Sequence, residues 1–163
     1  MTLRSESPTL RGVPRWRPYT WVLWGACLGV LAFELVLPRL LPSRPQPWDA
    51  AQTAVAEFIL AIFSLVAAVG TFTLRETFAV GPVRRGLLDP STPAGFARIR
   101  ATLAVLWLLC LLIGLFGSIL AYAAANPAEA WPYVAGAAAL LVIHAPRARL
   151  FGSSAATPVA GGS

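Results

Sequence analysis

The chain has 163 residues, of which 57% are hydrophobic and only 12% are charged. Soluble domains carry roughly 25% charged residues, so this composition excludes a soluble globular fold, and the high apolar content also excludes disorder. The formal net charge is +6, and all thirteen basic residues are Arg. These Arg residues lie between apolar segments rather than along one face, which argues against a nucleic-acid partner and favours a membrane protein.

Four segments are apolar over roughly the 20 residues that a helix needs to cross a bilayer. They cover about 19–37, 50–74, 101–125 and 128–145. Pro38 follows the first segment and is expected to close that helix. Because the segments are continuously apolar and do not alternate, they predict helices rather than a transmembrane barrel. The predicted fold is an all-α, integral membrane four-helix bundle that occupies residues 19–145.

The distribution of Arg predicts the topology. The N-terminal arm (1–18), the middle loop (75–100) and the C-terminal tail (146–163) hold four, five and two Arg, whereas the two remaining loops hold only Arg39 and Arg44. Since Arg concentrates on the cytoplasmic side of membranes, both termini and the middle loop are predicted to be cytoplasmic, in a bacterial inner membrane. The arm and the tail lack apolar periodicity and are expected to be flexible.

The middle loop contains a helix-start signal. Ser91 and Thr92 precede Pro93, and this order is typical of an N-cap followed by Pro at the first helical position. A helix is therefore expected to begin at Pro93 and to continue into the third apolar segment.

Small residues are spaced for close helix packing in two of the segments. Gly25 and Gly29 form a GxxxG motif in the first, and Gly114, Gly117 and Ser118 are the candidate packing residues of the third. Small residues let two helix backbones approach closely in a membrane. Two interpretations remain open: packing inside one bundle, or self-association of copies through Gly25 and Gly29.

Polar residues inside the second segment form the candidate functional site. Glu57 lies about seven residues into that segment, roughly 10 Å along a helix, and a carboxyl at such a depth is a functional-site candidate by default. The alternative is an interfacial position reached by water or by the neighbouring loop. Glu34 is expected at a similar or shallower height and is a candidate for the same pocket. The full candidate set is Glu57, Glu34, Thr53, Ser64 and Thr71.

No reactive constellation is found in the sequence. His144 is the only His and has no carboxylate at ligand spacing, and the two Cys residues form no Cys-x-x-Cys motif, so no metal site, catalytic set or cofactor is expected. Three functions remain. The first is a non-catalytic structural or accessory subunit of a membrane assembly, bound to further copies or to other membrane proteins within the lipid bilayer. The second is a proton- or cation-coupled transport component that uses Glu57. The third is a small intramembrane enzyme, which would have to use Arg75, Glu76, Arg98 and Arg100.

One stretch resembles a known family. The sequence PAGFARIRATL at 93–103, followed by IGLFGSILA at 113–121, resembles the second hairpin helix of rotary-ATPase proteolipid (c-type) subunits. In that family the helix bears an ion-carrying carboxylate, with an aromatic-Gly pair shortly after it. Phe116 and Gly117 take the place of that pair, and Leu111 occupies the carboxylate position. The resemblance therefore implies a diverged hairpin that cannot bind a proton at Leu111, with Glu57 on the neighbouring helix as the residue that would replace it.

Overall fold

The computed structural model describes residues 17–41 and 48–146, and within these residues all regular structure is helical. The arm and the tail that were predicted to be flexible lie almost wholly outside the described residues. Four continuous helical segments follow one another along the chain. We call them the first helix (Arg17–Leu40), the second helix (Ala50–Arg84), the third helix (Pro93–Ala123) and the fourth helix (Pro127–Ile143). The prediction of an all-α, four-helix fold is therefore confirmed.

The second helix begins at a capping box and contains a change of pitch. The Asp49 side chain accepts a hydrogen bond from the Gln52 backbone N–H at 2.8 Å, and the Gln52 side chain bonds back to the Asp49 N–H. Two donors at the helix start are thereby satisfied. The α-helix runs to Arg75, passes through a π-helical turn at Glu76–Val80 and closes with one α-helical turn at Gly81–Arg84.

The third helix begins where the sequence predicted. The Thr92 Oγ1 accepts a hydrogen bond from the Gly95 N–H at 3.1 Å, and Pro93 occupies the first turn. Gly95 is required because the carbonyl oxygen of Asp89 stands where a Cβ would be. The Ser91 hydroxyl and N–H both donate to the Asp89 carboxylate, which holds the pKa of Asp89 below its ordinary value. These short-range hydrogen bonds fix the turn that sets the direction of the third helix.

The fourth helix is the shortest of the four and covers Pro127–Ile143, close to the segment 128–145 that the sequence indicated. It opens with a 3₁₀ turn at Pro127–Ala130 and continues as thirteen α-helical residues, Trp131–Ile143. The thirteen α-helical residues span about 20 Å at 1.5 Å per residue, and the 3₁₀ turn adds about 8 Å at 2.0 Å per residue, compared with a hydrocarbon core about 30 Å thick. Among the residues described, three helices, the first to the third, are long and apolar enough to cross a membrane.

The third helix forms the centre of the bundle. It packs against the first, second and fourth helices. In the most apolar 18-residue stretch of each helix, the buried share is 50% for the third helix, 17% for the first and 6% for the second. The first and fourth helices also touch each other. Side chains of the third helix dominate the core, which includes Ile99, Leu103, Leu106, Trp107, Cys110, Ile113 and Leu120.

Successive helices run in opposite directions. The Trp24 Nε1–H donates to the carbonyl of Leu141 at 3.0 Å and joins the start of the first helix to the end of the fourth. The Trp48 N–H donates to the Ala123 carbonyl at 2.9 Å at the opposite end. We call the end that carries loop 85–92 the loop end and the opposite end the far end.

Candidate functional site

A carboxyl group is buried between the first and third helices near the far end. Glu34 is only 7% exposed and lies on the same face of the first helix as the buried residues Cys27 and Leu31. Its Oε2 rests against Gly114, at the place where any larger residue would put a Cβ. The absence of a side chain at Gly114 therefore creates the space that the carboxyl occupies.

The Glu34 carboxyl has an unpartnered oxygen. Oε2 is fully buried and has no hydrogen-bond partner in the part of the chain that the structure describes. An isolated buried charge costs several kcal/mol, and an ionisable residue inside a membrane segment is usually functional. Glu34, rather than Glu57, is thus the carboxyl whose surroundings are those of a site.

The backbone of Glu34 explains why the first helix does not end at Pro38. The helix was expected to close there, but it continues to Leu40 with Pro38 inside it. Proline has no N–H to give to the carbonyl four residues earlier, which is that of Glu34. The Ser118 hydroxyl donates to this carbonyl at 2.7 Å instead. A side chain from a neighbouring helix thereby satisfies the orphaned group, as happens at proline in membrane helices.

The second-helix candidates do not join Glu34 in one enclosed pocket. Glu57 is exposed, and its backbone carbonyl accepts a hydrogen bond from the Tyr133 hydroxyl at 3.1 Å. Thr53 is half-buried and bonds to the carbonyl of Asp49 at 2.9 Å. The Ser64 hydroxyl is buried but has no partner among the described residues. These side chains lie at several heights along one helix rather than around one ligand-sized space.

Thr71 belongs to a polar cluster at the loop end that the sequence did not predict. His144 is fully buried, and its Nε2 lies 2.9 Å from the Thr71 Oγ1. The Thr71 Oγ1 also lies 2.7 Å from the Ala68 carbonyl, to which it can donate, and this arrangement fits the His144 tautomer that carries its proton on Nε2. The His144 carbonyl accepts from the Trp107 Nε1–H at 3.2 Å. The cluster ties the second, third and fourth helices together, and no spacing in the sequence signals it.

The candidate packing glycines fall into a buried pair and an exposed pair. Gly114 and Gly117 are buried, and a Cβ at Gly117 would stand 2.6 Å from the Cβ of Tyr133. Gly25 and Gly29 are exposed, and no other helix in the described part of the chain comes within 4 Å of where their Cβ would be. The bundle is therefore packed through the third-helix glycines, and the GxxxG motif of the first helix faces outward.

The charged residues considered for an enzyme lie at the loop end, on the second and third helices. Glu76 lies 3.4 Å from Arg84, and both side chains are exposed. Arg98 and Arg100 are exposed on the third helix. No group of three His, Cys, Asp or Glu side chains comes together among residues 17–41 and 48–146.

Comparison of the chain with family models, with curated proteins and with solved structures finds no match. The resemblance of 93–121 to c-type subunits therefore stays a prediction, and the functional argument depends on the geometry alone.

Proposed function

We propose that this chain is a small polytopic membrane protein that acts as a non-catalytic structural or accessory subunit of a membrane assembly. Its first helix would associate with a second copy or with another membrane protein within the lipid bilayer. The third-helix glycines serve the packing of the chain itself, whereas the GxxxG surface of the first helix is free to contact a partner.

The outward GxxxG surface of the first helix carries this proposal. Gly25 and Gly29 are exposed, with open space beside both, and Val22 and Val36 continue the same face with 69% and 41% exposure. Helices in a membrane gain no hydrophobic energy by associating, so they associate where small residues permit close backbone contact. A surface with this geometry is suited to a helix from outside the chain.

The proposed location is a bacterial cytoplasmic membrane with both termini and the loop end in the cytoplasm. The positive-inside rule supports it. In the described residues the loop end carries Arg75, Arg84, Arg85, Arg98 and Arg100, and the far end carries Arg39. The alternating directions of the helices agree with a chain that begins and ends on the same side.

Gly29→Leu tests the proposed assembly. Because no other helix among the described residues comes within 4 Å of the Gly29 Cβ position, the substitution should leave the monomer folded. The leucine side chain should then separate the associating helices. We expect association to weaken at least tenfold, or about 1.4 kcal/mol. The measurement is the mass of the complex in mild detergent, with its co-purifying proteins identified, followed by energy transfer between labelled copies in vesicles.

Gly136→Leu is the matched control. Gly136 is also exposed, and no other described helix comes within 4 Å of its Cβ position, but it lies on the fourth helix. It should assemble like the wild type. A wild-type chain that is monomeric and carries no other membrane protein would refute the proposal. Equal assembly by Gly29→Leu and the wild type would refute the role of the first helix.

A second candidate function is proton- or cation-coupled transport, which one observation favours. The Glu34 carboxyl is buried between two helices and holds an oxygen without a partner, and buried ionisable groups in membrane segments often carry ions. We therefore assign the ion-carrying role in this candidate function to Glu34 rather than to Glu57, which is exposed.

Glu34→Gln tests the transport candidate in proteoliposomes loaded with a pH-sensitive dye. The amide keeps the shape of the side chain but does not exchange a proton, so we expect proton flux to fall to the level of empty vesicles. Glu57→Gln is the control and should retain the wild-type flux. Absence of flux through the wild type, or full flux through Glu34→Gln, would exclude this function.

A further inference from the structure

A groove between the second and third helices opens at the loop end. Its volume is about 250 Å³. We call it the loop-end groove and define it by the side chains that line it: Leu74 and Phe78 of the second helix, and Arg98, Ala101, Thr102 and Val105 of the third. Phe78 belongs to the π-helical turn, a type of distortion that is frequent at functional sites.

The walls of the loop-end groove are apolar and its mouth is cationic. Phe78 and Val105 are 43% and 48% exposed, so both present free apolar surface. The Thr102 hydroxyl donates to the carbonyl of Arg98 at 3.0 Å and is thereby satisfied within its own helix. Among the side chains that line the groove, the exposed guanidinium of Arg98 supplies the hydrogen-bond donors for a ligand.

The acids of the loop end do not neutralise Arg98. Glu76 is paired with Arg84 at 3.4 Å, and the Asp89 carboxylate accepts from Ser91. No acidic side chain forms an ion pair with Arg98 in the part of the chain that the structure describes. The mouth of the groove therefore carries a positive charge that lacks a counter-charge.

We propose that the loop-end groove binds an anionic phospholipid, with the phosphate on Arg98 and part of one acyl chain along Leu74, Phe78 and Val105. Basic pockets between membrane helices on the cytoplasmic side are suited to anionic headgroups, and a guanidinium binds a phosphate through two parallel hydrogen bonds. The apolar walls favour a lipid over a free phosphate. A second groove, at the far end, is lined in part by Trp48 and Ile59, and none of the described residues that line it is basic. Charge selectivity is therefore expected at the loop end.

The test is lipid binding by the full chain in mild detergent, measured by native mass spectrometry with phosphatidylglycerol, phosphatidylcholine and inorganic phosphate as probes. The wild type should retain phosphatidylglycerol in preference to phosphatidylcholine and should not retain phosphate. Arg98→Gln should weaken phosphatidylglycerol binding about fivefold, the effect of roughly 1 kcal/mol per Arg at an anionic surface. Arg100→Gln, whose side chain is exposed but does not line the groove, should bind like the wild type.

Ala101→Trp separates the groove from simple charge attraction, because it fills the groove while leaving Arg98 in place. It should weaken phosphatidylglycerol binding at least as much as Arg98→Gln does. Equal losses in Arg98→Gln and Arg100→Gln, or unaltered binding by Ala101→Trp, would overturn the proposal in favour of diffuse attraction to the loop-end Arg residues. Equal retention of the two lipids, or retention of inorganic phosphate, would also overturn it.

Discussion

Gly117→Leu is expected to lower the free energy of unfolding by about 3 kcal/mol or more, at or above the upper end of what overpacking a tight interior costs. A Cβ at this position would lie 2.6 Å from the Cβ of Tyr133 and 3.0 Å from the backbone oxygen of Ala130. Neither atom can move without the fourth helix. Displacing that helix would also strain the hydrogen bond from the Tyr133 hydroxyl to the second helix.

Gly136→Leu is again the control, because it gains the same helix propensity without a clash. Replacing Gly by Leu inside a helix favours folding by up to about 1 kcal/mol, so the control should be as stable as the wild type or slightly more stable. Unfolding of both variants can be followed by circular dichroism during titration with a denaturing detergent. Equal stability of Gly117→Leu and Gly136→Leu would show that the fourth helix does not pack through Gly117.

The start of the third helix could be predicted from the sequence because its cause is local. Thr92 and Gly95 are three residues apart, and the hydrogen bond between them forms the cap. Pro93 supports the same boundary through its own fixed backbone angle. The long apolar segments were equally readable, since their length and composition need no knowledge of neighbours.

The sequence could not predict which side of each helix is buried, because the segments are mostly apolar on every side. In a helix of a soluble protein, the position of the polar face shows which face is buried. Here Gly29 and Leu31 are both apolar, yet Gly29 is exposed and Leu31 is buried. Glu34 and Glu57 raise the same difficulty: their depths follow from the sequence, whereas burial depends on rotation about the helix axis. The cluster of Thr71 and His144 joins residues 73 positions apart, and no sequence pattern carries that information.

Ser118→Ala is expected to cost about 1–3 kcal/mol, the penalty for leaving a buried backbone group without a partner. Its hydroxyl is the donor that satisfies the Glu34 carbonyl at 2.7 Å, in place of the N–H that Pro38 lacks. Ser64→Ala is a matched control, because the Ser64 hydroxyl is buried with no partner among the described residues. Its removal should therefore leave the stability unchanged or slightly raised.

Combining Ser118→Ala with Pro38→Ala tests whether the stability depends on the Ser118 hydroxyl because Pro38 lacks an N–H. In Pro38→Ala the new backbone N–H can donate to the Glu34 carbonyl within the first helix, so Ser118→Ala should then cost about 0.5 kcal/mol or less. The expected coupling between the two positions is on the order of 1–2 kcal/mol, within the range measured for residues that share one network. An equal cost of Ser118→Ala in both backgrounds would mean that the hydroxyl does not replace the missing donor. The coupling bears on the proposed transport role of Glu34, because Ser118 lies one turn from Gly114. The bond that satisfies the Glu34 carbonyl therefore forms next to the space that the Glu34 carboxyl occupies.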